Sequence, residues 1–157
     1  MMEPVTLILK PFERLTASEL YAALRLRNEV FVVEQQCIYA DTDDKDQQAF
    51  HLLGFHGEML AAYARLFAPG KYFVEAAIGR IVTAPSQRRT GLGKMLMHKS
   101  IEIVRRMHGN VDIRIGAQCY LEKFYAAFGF QVAGASYLED GIPHVEMLLP
   151  AMKGEFE

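Results

Sequence analysis

With 157 residues, 51% of them apolar, and a net charge of −2, the chain has the makings of one domain, residues 1–157, and no general attraction to nucleic acid. No apolar run reaches the ~20 residues of a membrane span, and no basic segment precedes a leader cleavage site. Two distant cysteines, Cys37 and Cys119, form no disulfide framework, so the expectation is a soluble protein of the reducing cytoplasm.

Val5, Leu7 and Leu9 alternate and predict a first strand. Thr16-Ala-Ser-Glu19 then spells a capping box, opening a helix that runs through Leu20, Leu24 and Phe31 towards Glu34. The acidic run Asp41–Asp46 resembles a calcium loop only on the surface. Asp46 stands where the turn glycine belongs and Leu52 where the bidentate glutamate belongs. Such a run is expected to be solvated, with attraction for cationic amines as its functional alternative.

Two strands joined at His56–Gly57 follow. His51 and His56 lack a cysteine pair at zinc-finger spacing and read as structural or substrate-facing. Residues 72–83 predict a long central strand. Leu92, Met95, Leu96, Ile103, Val104 and Met107 then fall at helical spacing. The Arg105–Arg106 pair at that helix's end reads as solvated charge. The segment 111–117 alternates as a further strand. Leu121, Phe124, Tyr125 and Phe128 repeat at i, i+3, i+4, i+7, with Gly129 as a stop. Two short strands, near 130–135 and 144–149, finish the chain. The order is β-α-β-β-β-α-β-α-β-β, with the strands flanking the long helix parallel and the hairpins antiparallel.

Between the central strand and the long helix lies Arg88-Arg89-Thr90-Gly91-Leu92-Gly93-Lys94. A nucleotide P-loop would need Gly at Arg88 and Ser or Thr at Met95; a dinucleotide fingerprint would need Gly at Leu96. Neither is present. Glycines at a helix N-terminus still offer close backbone approach to an anion.

Arg88-x-x-Gly91-x-Gly93 resembles the Q/R-x-x-G-x-G/A loop of the GNAT superfamily of acyl-CoA N-acyltransferases. Leu121-Glu-Lys-Phe-Tyr125-Ala-Ala-Phe-Gly129-Phe130 is similar to that family's helix carrying a tyrosine before Gly-Phe. Leu24–Cys37, the acidic loop and Glu139-Asp-Gly-Ile-Pro-His144 resemble its ElaA-like branch, over about residues 24–149. The resemblance implies an α/β fold of GNAT type. Its central sheet is mixed but mostly antiparallel, is flanked by helices, and has locally parallel central strands that open a cofactor cleft.

It further implies acetyl-CoA as cofactor, held by Ile81, Val82, Thr83, Arg88, Arg89, Thr90, Gly91, Leu92, Gly93, Lys94, Gln118 and Tyr125. The implied partner is a small-molecule or peptide amine, and a homodimer is expected by analogy. Tyr125 is the candidate acid for the departing thiolate, or else a core tyrosine. A backbone N–H near Val82 is the candidate donor to the thioester carbonyl. Many relatives carry a glutamate base on the central strand; here Glu75 stands near its start, so Glu34 and His144 become the candidate bases. Glu34 has the alternative of capping its helix or pairing with Arg27, and His144 that of bonding backbone near Pro143. Arg80 is a structural ion pair or a carboxylate clamp. Direct attack on the thioester leaves no task for Cys119. The alternative function on the same fold is a non-catalytic acyl-CoA-binding or sensing domain.

Overall fold

The computed structural model describes residues 4–153. Among these, eight strands form one sheet in the order β1-β2-β3-β4-β5-β8-β6, with β7 paired to β8. The strands are β1 (Thr6–Pro11), β2 (Phe50–His56), β3 (Met59–Phe67), β4 (Ala76–Thr83), β5 (Ile113–Gln118), β6 (Gln131–Val132), β7 (Tyr137–Glu139) and β8 (Ile142–Leu149). Helices α1 (Ala17–Arg27), α2 (Leu92–His108) and α3 (Glu122–Ala126) complete the fold.

The middle of the sheet, β2 to β4, is buried on both faces, and neighbouring residues show it. On one face Leu53, Tyr63 and Val82 pack with Ala23, Leu26 and Val30 of the α1 region. On the other, Leu52, Ala62 and Ala64 pack with Leu96, Met97 and Val104 of α2. At roughly 25 cal/mol per Å² of apolar area, these two layers are the main stabilising term. The crossover through α2 makes β4 and β5 parallel, while the other pairs are antiparallel.

The β4–β5 ladder is short. It joins only Ala76 to Ile113 and Ala77 to Arg114. Its end has a visible cause. On the other side of β4, Gly79 pairs with Arg65 and Val82 with Tyr63, so Arg80 and Ile81 together oppose Ala64. This bulge places Arg80 in the left-handed region, at φ 49°, and a bulge bends its strand. Beyond it β4 leaves β5, and a gap opens at the carboxyl ends of the two parallel strands, where open α/β sheets bind ligands.

Several elements differ from their sequence signals. The capping box is present, with Thr16 Oγ accepting from the Glu19 amide at 3.1 Å and Glu19 accepting from the Thr16 amide at 2.9 Å. The helix then changes at Asn28 into a π-helical turn, Asn28–Glu34. The central strand begins at Ala76 rather than Tyr72. Helix α3 ends at Ala126, so Phe128 lies beyond it. The strand β7 was not foreseen; its three residues fold back on β8 through Asp140–Gly141.

Candidate active site

A cavity of about 730 Å³ occupies the gap between β4 and β5. It passes through the sheet, and strand register assigns its walls to faces. Directly paired residues share a face. Ile115 with Met147 and Ala117 with Val145 face α2, together with Tyr125. Gly116 with Glu146 and Gln118 with His144 face the α1 side, where Gln118 meets Gln35.

On the α2 face the loop closes around positive-φ residues, Arg89 at 63° and Gly91 at 83°. The first backbone bond into the helix is Met95 N–H to Gly91 O at 3.1 Å, so the Gly93 and Lys94 amides lie in the turn before it. A Cβ on Gly93 would stand 3.9 Å from the Phe124 ring, and Gly93 opens onto the cavity. Among the site residues expected from sequence, Glu34, Ile81, Val82, Thr83, Arg88, Gly93, Gln118, Tyr125 and His144 line this space. Thr90, Gly91 and Leu92 instead line a second cavity of about 230 Å³ under the loop. Arg89 and Lys94 line neither and project from the surface.

Val82 needs a finer description. The Ala84 amide donates to Ala61 O at 2.8 Å. Antiparallel alternation from that bond directs the Val82 amide into β3 and turns the Thr83 amide towards the gap. Tyr125 is 7% exposed and its ring meets Phe124 and Phe130 edge-on. Burial pushes its phenol well above the ordinary range, so it stays protonated.

Glu34 does not pair with Arg27, which binds Asp41 and Asp46 instead. It forms a two-pronged ion pair with Arg88, one contact at 2.8 Å and a shorter one from Arg88 Nη2 to Glu34 Oε1. The bond to Arg88 holds its carboxyl below the usual range. The next residue, Gln35, exchanges two amide hydrogen bonds with Gln118 on β5, at 3.1 and 3.4 Å. Cys37 Sγ then donates to Asp140 O at 3.1 Å. Residues 34–37 therefore bridge the mouth of the gap.

His144 is 8% exposed. Its Nδ1 lies 2.7 Å from Ile142 O, the backbone bond anticipated beside Pro143. A carbonyl only accepts, so Nδ1 carries the hydrogen in the neutral ring and Nε2 keeps the lone pair. Nε2 is 3.5 Å from Glu139 Oε2, and Tyr137 stacks on the ring. The local sequence produces this arrangement: the Asp140–Gly141 turn, both at positive φ, folds β7 against β8 and sets Tyr137 opposite His144.

Three of the four aspartates in the acidic run, Asp41, Asp43 and Asp46, are held by arginines, while Asp44 is exposed and Asp43 borders the cavity. Asp41 and Asp46 are buried. Arg27 binds Asp41 and Asp46, both at 2.8 Å; Arg65 binds Asp43 at 2.7 Å and Asp46 at 2.9 Å. Arg80 lies 2.9 Å from Asp41, the structural ion pair, and this contact secures the bulge. His51, fully buried, spans Tyr63 Oη at 2.6 Å and Asp46 O at 2.8 Å and is structural. Arg106 pairs with Glu102, and Arg105 donates to Pro150 O. Sequence reasoning missed Gln35, Glu139 and this network. Only Arg80, on its strand, signalled that an anionic partner must exist.

A family model described as the acetyltransferase (GNAT) domain matches residues 16–150. The UPF0039 protein sll0451 of Synechocystis is 39% identical over 138 residues, covering 87% of this chain and 90% of its own. Protein ElaA of Escherichia coli is 39% identical over 135 residues, covering 85% and 88%. Among solved structures, an acyl-CoA N-acyltransferase from Pseudomonas aeruginosa superposes with a TM-score of 0.88 at 37% identity, covering 92% of this chain and 98% of that one. The crystal structure of E. coli ElaA gives 0.86 at 36%, with the same coverage. The matched span takes in the glycine loop, the divided sheet, Tyr125 and His144, and the chain belongs to the GNAT family of acyl-CoA-dependent acyltransferases, in its ElaA-like branch.

Proposed function

We propose that the protein transfers an acetyl group from acetyl-CoA to a primary amine, on a small molecule or peptide, by direct attack in a ternary complex. The observation that carries this reading is the division of one cavity between two faces of the sheet. Tyr125 stands with the glycine loop on the α2 face, and His144 stands on the α1 face. Acetyl-CoA and the amine can thus be held in one cavity with the amine nitrogen beside the thioester carbon, as direct attack requires.

The pyrophosphate of the cofactor rests on backbone amides between Arg89 and Lys94, where the N-terminus of α2 favours negative charge. Gly93 fits such a group because its missing Cβ leaves the backbone open towards the cavity. The acceptor reacts only as the free amine. His144 Nε2 takes the proton, directly or through water, as the new C–N bond forms. Glu139 faces the imidazolium that results. The thioester oxygen gains negative charge and is met by the Thr83 backbone N–H, which turns towards the gap. As the C–S bond breaks, the Tyr125 hydroxyl gives its proton to the leaving sulfur. Glu34 is the weaker candidate base, since Arg88 occupies both its oxygens.

Release of free thiol from acetyl-CoA tests the reading, with a panel of polyamines, amino acids, aminoglycosides and peptide N-termini. Amine-dependent, steady release is the expected result. Tight acetyl-CoA binding with no release for any amine would favour the non-catalytic binding domain instead.

A further inference from the structure

Gly79 and Gly116 lie where β4 and β5 part. Continuing the register Ala76–Ile113 and Ala77–Arg114 by two residues sets Gly79 opposite Gly116 across the gap. Both look to the α1 face, for Gly79 pairs with Arg65 and Gly116 with Glu146. Both line the cavity. Glycine inside a strand weakens it, and it is usually explained by a positive φ or by a close neighbour. Neither explanation holds for Gly79. Its φ is ordinary and an added Cβ would meet nothing within 4 Å. Gly116 is exposed in the interior of the sheet, although Ile115 and Ala117 beside it are each 2% exposed. The missing side chain of Gly79 is therefore room inside the site, whereas that of Gly116 leaves space for the Tyr137 hydroxyl.

The surroundings of that room indicate what fills it. Tyr39, Tyr72 and Ile142 line the cavity, and the Tyr137 hydroxyl comes within 3.3 Å of a Cβ placed on Gly116. His144 stacks on Tyr137 and belongs to the same face. The glycine loop and Tyr125 lie on the other. Resting on the acetyl-transfer reading above, we propose that Gly79 and Gly116 form the floor of the acceptor pocket. This floor admits a primary amine borne on a bulky aromatic or branched body, and Gly79 sets its size limit. The tyrosines close over the flat body while the amine reaches Nε2 of His144.

Gly79→Leu and Gly79→Ala test this against n-butylamine, phenethylamine, tyramine and a branched amine of similar size. The parent is expected to turn over the bulky amines with the higher kcat/KM. Gly79→Leu should lower kcat/KM for those by about tenfold or more, the range of a few methylenes in a pocket, with Gly79→Ala between. Calorimetric acetyl-CoA affinity should stay within about twofold, and kcat/KM for n-butylamine should fall clearly less than that for the bulky amines. A parent that prefers n-butylamine, or a Gly79→Leu loss equal for all amines, would overturn the assignment. So would a loss that follows acyl-chain length instead, which would give the space to the acyl group. If the parent releases no thiol with any amine, the acetyl-transfer reading fails. Calorimetry then decides the floor separately: it stands if phenethylamine binds the parent but not Gly79→Leu, and falls if both bind alike or neither binds.

Discussion

Tyr125 combines two properties that sequence could only set side by side. It belongs to the apolar stripe, at 7% exposure, and it borders the cavity. Burial raises its pKa, which suits a group that must hold its proton until a thiolate forms. Tyr125→Phe is expected to lower kcat by ~10²-fold with little change in acetyl-CoA affinity, because the hydroxyl acts only in the transition state. Single-turnover kinetics and calorimetry separate the two; equal loss in both would make it a packing residue. That Tyr125 and His144 border the cavity was legible because short local motifs carry them. The partners of Glu34 were not. Arg88 lies 54 positions away in sequence, and only the packing of the π-helical turn against the loop brings them together. Gly79 was also illegible, since a lone glycine in a strand carries no sign of what it faces.

At the scale of elements, the loop between β4 and α2 provides a clean test of cofactor placement. Gly91 is a poor site for it, since its φ of 83° strains any other residue. Gly93 has an ordinary φ and only Phe124 near its Cβ position, so Gly93→Val should fold. Its branched side chain should weaken acetyl-CoA binding by about tenfold or more, equivalent to about 1.4 kcal/mol; calorimetry showing parent affinity would move the pyrophosphate elsewhere. The acidic segment makes the opposite point about legibility. Its three arginines come from α1, β3 and β4, so no local pattern announces that Asp41 and Asp46 are buried. Removing Asp46 takes a charged partner from both Arg27, which keeps Asp41, and Arg65, which keeps Asp43. Asp46→Ala is expected to cost about 1.5–3 kcal/mol in urea unfolding, the range of a hydrogen bond to a charged group, and a cost under about 1 kcal/mol would mean the network is effectively solvated.

The whole molecule couples that network to pH. Burial opposes a charge on Asp43, but Arg65 and Arg80 prevail and hold its carboxyl down to about 2. Arg27 and Arg65 likewise lower Asp46 against its burial. Burial lowers His51 from 6.5. For all three the folded value lies below the unfolded one, so stability is complete at high pH and lost on acidification. The urea midpoint should be level above pH ~7 and fall below ~6.5 as unfolded His51 takes up a proton. It should fall again below ~4, where unfolded carboxylates protonate first; a midpoint level down to pH 4 would contradict the account of His51. The alternation and crossover rules gave the order and sense of most strands. They did not give the bulge at Arg80, which depends on a contact with Asp41 across the molecule and beyond which β4 parts from β5. The central claim is that His144, on the α1 face of the sheet, acts as base and Tyr125, on the α2 face, as acid in one transfer. It is tested most directly by single-turnover acetyl transfer as a function of pH in the parent, His144→Gln and Glu34→Gln. The acceptor should be an amine whose own pKa lies below the range scanned. The account predicts an acid-side limb in the parent that persists in Glu34→Gln and is absent, with a depressed rate, in His144→Gln; the same limb in all three proteins would contradict it.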